Sequence, residues 1–176
     1  MDRNTLIMII LFPVLIALQV LICNHIMLFN VAVPFIYIYF ILRLPVGMSK
    51  NWLFTVSFLL CFLIDLFSDT PGVNSLASIL LAGMKQPIFY AYVPRDDKTK
   101  NIIPSINSLG WQNYSKYLIS MSGFFCLIYF CIEFFNFANP LEILLMTLAS
   151  SVLTFGILYG VDSLISSGNT SKHFSV

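Results

Sequence analysis

The sequence predicts an all-α integral membrane protein, a bundle of six transmembrane helices. Three observations carry this. Of the 176 residues, 59% are hydrophobic and only 10% charged, with a mean hydropathy of +0.89. Soluble domains of similar size carry about 25% charged residues, so the solvent for most of this surface is lipid. The apolar residues fall into runs long enough for helical spans. All nine Lys and Arg residues fall on one side when six spans are drawn. Basic residues accumulate in short cytoplasmic loops, so both termini are expected in the cytoplasm.

The spans follow in order within a single polytopic domain, residues 1–165. No Asp, Glu, Lys or Arg occurs from Asn4 to Leu42. That run exceeds one span of about 20 residues and suits two joined by a turn at Asn24, His25 and Asn30. Span one is expected near 5–23, with Pro13 inside it. It resembles a signal peptide at its start, but it is long and lacks a small-residue cleavage site. An uncleaved first span is therefore expected. Span two is expected near 30–44, with Pro34 close to its start. Neighbouring helices can satisfy the backbone groups that a membrane proline frees.

Arg43, Pro45, Gly47 and Lys50 mark an inner loop, and span three follows near 51–67. Span four, near 73–93, is short and interrupted by Lys85, Gln86 and Pro87. Charge keeps it. Without it, the best orientation leaves three basic residues outside. Lys85 is then expected to snorkel its ammonium to the inner interface. Residues 94–114 read as a solvated inner loop around Arg95, Asp96, Asp97 and Lys98. Span five is placed near 116–135 and span six near 141–165. The Ser-rich tail 166–176 reads as disordered and cytoplasmic.

Charged groups inside a membrane are expensive and therefore informative. Asp65 and Asp69 lie four residues apart, on one face of a continuous helix. Pro71-Gly72 follows as a turn signal, and Asn74 or Ser75 is expected to cap span four. Three readings of the acids compete. They touch water in an outer turn, or Asp65 fixes helix packing, or the two carboxylates bind a cation or act as acids. Asp162 near the inner end of span six is either an interfacial acid or the partner of an inner-loop base. Gly156 and Gly160 form a GxxxG pair, which permits close helix approach.

Other chemistry is not visible. Cys23, Cys61, Cys126 and Cys131 lie in or beside apolar runs without metal-ligand spacing. No nucleophile elbow, HExxH or phosphate-binding glycine loop occurs, so no enzyme activity, metal or cofactor is expected. A formal net charge of +1 gives no reason to expect nucleic acid.

The stretch 62–81, FLIDLFSDTPGVNSLASILL, resembles the best-marked part of the MreD family of bacterial rod-shape-determining proteins. The matching positions are Asp65, Pro71, Gly72, Asn74 and Ala77. The chain departs from many members at Cys61, where a small Gly-like residue is usual. The resemblance implies a non-enzymatic scaffold of the cell-elongation machinery in the bacterial inner membrane. It also implies binding to an MreC-like bitopic protein. Through that partner it implies links to a RodA-like glycosyltransferase, a class B penicillin-binding protein and an MreB-like filament. The family fold is similar to the substrate-binding S-components of energy-coupling-factor transporters. The alternative expectation is accordingly a substrate-binding subunit for a vitamin-type small molecule.

Overall fold

The computed structural model describes residues 3–21, 32–68, 70, 72–94, 102–134 and 140–170. Within them it is all-α, with six helices. These are α1 Arg3–Leu21, α2 Ile38–Arg43, α3 Lys50–Ser68, α4 Val73–Tyr92, α5 Ile106–Glu133 and α6 Pro140–Thr170. Lys50–Ser68, Ile106–Glu133 and Pro140–Ser163 are long and apolar enough to cross a membrane. Their outward faces carry Leu59, Phe62, Ile119, Leu127, Leu148 and Val152, all well exposed. Such a surface suits lipid, where apolar side chains need no further cover. The chain is thus a membrane-embedded helical bundle.

Helices α3 and α4 pair, α4 packs on α5, α5 on α6, and α1 leans on α3. The small residues of α4 allow its close pairing. Ala77, Ser78 and Ala82 are buried, and the Phe54 ring lies 3.7 Å from where a side chain on Gly83 would begin. Pro13 and Pro87 sit inside continuous helices, so span four is one unbroken helix of 20 residues. At the entry to α5, Ser105 and Ser108 form a capping box. Gly110, at φ +73°, then breaks the first turn from the main helix, a conformation glycine adopts without a Cβ clash.

Four expectations change. The predicted second span is helical only over Ile38–Arg43, six residues. Residues 33–35 form neither helix nor strand, and 36–37 turn into the helix. Pro34 supplies the reason, because it lacks an N–H and disfavours helical geometry in the residue before it. The polar stretch 94–114 is not a solvated loop throughout, since helix begins at Ile106 and Tyr114 is buried at 1% exposure. The last helix runs past 165 to Thr170, which overturns disorder for 166–170. Lys85 does not snorkel; it is 0% exposed.

The core gathers around residues 35–46. Every residue from Tyr37 to Leu42 is buried. A helix that is apolar all round belongs inside a bundle rather than at its surface. Phe35 extends the core through edge-on contacts with Tyr37 and Phe125 and a tilted one with Tyr129.

Candidate functional site

The irregular segment before α2 sets the central problem. Its backbone polar groups lie among apolar helices and have no helical partners of their own. In a membrane such backbone is tolerated only where protein satisfies it. Side chains from two helices do so here. Ser150 and Thr154 of α6 accept from the Val33 and Phe35 amides at 3.0 and 3.2 Å. Gln19 of α1 accepts from the Ile36 amide and donates to the Pro34 carbonyl, both at 3.0 Å. At the other end of α2, Lys85 donates to the carbonyls of Ile41 and Leu44 at 2.8 and 2.5 Å. Its ammonium takes the place of the amides that a longer helix would have offered.

Asp65 lies at the far end of α3, only 5% exposed. Its Oδ1 accepts from the Asn74 amide at 3.1 Å, the Asn74 side chain at 2.8 Å and the Thr70 hydroxyl at 2.9 Å. Its Oδ2 accepts from the Ser75 amide at 2.9 Å and the Ser75 hydroxyl at 2.5 Å. The carboxylate of α3 therefore caps α4 across the hairpin. Free amides and the helix dipole both favour a negative charge there. This corrects the expectation that Asn74 or Ser75 caps α4. The N-cap position is Gly72, at φ +82°, which has no side chain to offer. Of the three readings of the acids, Asp65 takes the packing one. Asp69 and Pro71 lie outside the described residues. Ala77 is fully buried one turn below the cap.

Asp162 repeats the device at the opposite end. Only 1% exposed, it accepts from the Ile106 amide at 2.9 Å, capping α5 from α6. It also accepts from the Tyr39 hydroxyl at 2.8 Å, and Arg43 Nη2 lies 3.7 Å away. Arg43 donates to Tyr39 at 3.0 Å. The acid is thus paired with the base at the end of α2 rather than left exposed. Burial of such a pair is tolerable because further donors fill its lone pairs.

The two clusters share α2 and the turn before it. Tyr37 donates to Asn74 Oδ1 at 2.5 Å, in the Asp65 cluster. Tyr39 reaches the Asp162 cluster. These tyrosines, with Gln19, Thr70, Ser150 and Thr154, were not singled out from sequence. The usable signal was present: each is a polar group within or beside an apolar run, where it needs a partner.

Beside the Asp65 cluster lies a cavity of about 220 Å³. Its polar rim includes Ser68, Thr70, Asn74 and Glu133, and Phe35, Tyr37 and Tyr129 form an aromatic wall. A second hollow, an apolar groove of about 400 Å³, runs between α1 and α3 along Phe12, Ile16, Val20, Leu63 and Phe67. Gly156 and Gly160 pack against no helix of this chain among the described residues, with open space where their side chains would begin. Among those residues, no three His, Cys, Asp or Glu side chains are grouped to hold a metal.

Compared with known protein families, curated proteins and solved structures, the chain matches none.

Proposed function

We propose that this chain is a non-enzymatic membrane scaffold of the bacterial cell-elongation machinery. One observation carries the reading. The charged side chains buried among the described residues, Asp65, Lys85 and Asp162, are all engaged at helix ends. Charge is spent on architecture, as a scaffold requires. The likeness of residues 62–81 to the MreD family supports the same reading, with Asp65, Gly72 and Asn74 forming the hairpin.

In this reading the chain crosses the bacterial inner membrane six times with both termini in the cytoplasm. The segment 32–43 makes one crossing despite its short helix. Its six residues before the helix reach at most about 3.3 Å each and its six helical ones rise about 1.5 Å each, so it covers at most about 29 Å. That is most of a hydrocarbon core of about 30 Å.

The partner is an MreC-like bitopic protein whose single transmembrane helix lies in the apolar groove between α1 and α3. Leu63 and Phe67 line that groove and flank Asp65 on α3. Through this partner the chain acts on a RodA-like glycosyltransferase, a class B penicillin-binding protein and an MreB-like filament. Co-purification tests the contact. The double variant Leu63→Ala/Phe67→Ala is expected to lose most of the partner, while Glu142→Ala keeps it. Equal recovery from both would remove the groove from the reading. Depletion in the host tests the role: rounding that nutrients do not rescue supports it.

The cavity favours a second reading, a substrate-binding subunit for uptake of a small molecule. Depletion would then leave cell shape normal and produce a growth defect that one nutrient cures.

A further inference from the structure

We infer that the carbonyls closing α2 form a site for a monovalent cation of the ammonium class, and that the chain fills this site from within, with Lys85. The inference goes beyond both readings of the function. It rests on the contact between α2 and α4 and holds under either.

The acceptors come first. The last carbonyls of a helix have no amide partners within it. In membranes, the C-terminal ends of interrupted helices and the unwound carbonyls beside them coordinate cations such as Na+. The six-residue α2 ends in this way at Arg43, between the buried Leu42 and Leu44. Leu44 turns extended, at φ −60° and ψ 146°, and its carbonyl meets the same nitrogen as that of Ile41. Lys85 Nζ donates to them at 2.5 and 2.8 Å, the range of charge-assisted hydrogen bonds. The chain beyond is held in place as well. Gln86 donates to the Val46 carbonyl at 3.0 Å, and the Val46 amide donates to the Ile102 carbonyl at 3.2 Å.

The charge comes second. Lys85 is fully buried, and a buried charge is costly unless it is paired and hydrogen-bonded. Among the described residues Lys85 forms no ion pair, while Asp162 pairs with Arg43. Neutral carbonyl oxygens therefore balance the ammonium, as in a cation site and unlike a salt bridge. An apolar side chain of equal length would fill the space of the stem and leave both carbonyls unpaired. Tethering the cation closes α2 without any ion from solution, so the bundle is indifferent to which alkali ion surrounds it.

The test uses the full chain purified in detergent. Thermal unfolding is followed for the native chain, Lys85→Ala and Lys85→Met in sodium, potassium or choline chloride at equal ionic strength. Butylammonium chloride is then added, with butanol as the uncharged control. The native chain is expected to melt at one temperature in all three salts. Both variants are expected to melt about 5 °C or more below it. Saturating butylammonium is expected to restore at least half of that loss in Lys85→Ala, and butanol none. Lys85→Met is expected to gain nothing, because its own side chain fills the space of the butyl group. Native melting of Lys85→Met would show that the stem alone holds α2 and overturn the inference. Equal rescue of Lys85→Ala by butylammonium and butanol would do the same. Stabilisation of the native chain by one alkali ion would show a site open to solution and overturn the internal occupant. If Lys85→Ala does not survive purification, the yield of folded protein extracted with each additive replaces its Tm. Recovery with butylammonium alone supports the site, and any other pattern overturns it.

Discussion

Asp65 shows how a carboxylate is made tolerable when buried among helices. Five donors converge on its two oxygens, two of them amides that begin α4. Removing it would orphan those two amides and the side chains of Thr70, Asn74 and Ser75. Each unsatisfied buried group costs about 1–3 kcal/mol, so Asp65→Ala is expected to destabilise the bundle by about 3 kcal/mol or more. Asp65→Asn keeps one acceptor oxygen and places an amide against donors, so it falls between the two. Thermal unfolding in detergent ranks the three, and an unchanged Asp65→Ala would refute the capping role. The acid itself was visible in sequence because it interrupts an apolar run. Its role was not, because a cap given across a hairpin depends on the register of two helices. Lys85 misled for a similar reason. An ammonium four carbons from the backbone can reach water or a carbonyl, and only the position of the end of α2 decides which.

At the scale of elements, the segment 32–44 departs most from its expected form. Its apolar composition reads as a span, and Pro34 as a local defect. The defect instead spreads over the first half of the segment, because α6 and α1 supply hydroxyl and amide partners in register with it. The neighbouring serines of α6 give a sharp comparison. Ser150 accepts from the Val33 amide, whereas Ser151 donates to Leu148 of its own helix at 2.9 Å. Ser150→Ala is therefore expected to lower stability by about 1–3 kcal/mol, and Ser151→Ala by less than about 0.5 kcal/mol. Equal melting temperatures for the two variants would show that the segment does not depend on α6. The long helices α3, α5 and α6 were legible from hydrophobic length alone. The start of α5 was not, since Gly110 and Pro104 read as loop while Asp162 and the Ser105 capping box hold residues 106–109 in a turn of helix.

Across the whole molecule, the same arrangement occurs twice. An acid near the C-terminal end of one helix caps the N-terminus of another, Asp65 from α3 to α4 and Asp162 from α6 to α5. One cluster stands at the α3–α4 hairpin and the other at the start of α5. Tyr37 and Tyr39 connect them through one intervening residue. If they act as one unit, Tyr37→Phe and Tyr39→Phe should not add. The second substitution is expected to have about half its single effect when the first is present. Strict additivity in a double-mutant cycle would separate the clusters.

A rod fixed at its two ends cannot slide along its length without breaking a fastening. The stretch around Ile38 is such a rod, and its fastenings are Tyr37 to the Asp65 cluster and Tyr39 to the Asp162 cluster. A pull on the α3–α4 hairpin therefore arrives at the start of α5, with no moving part between them.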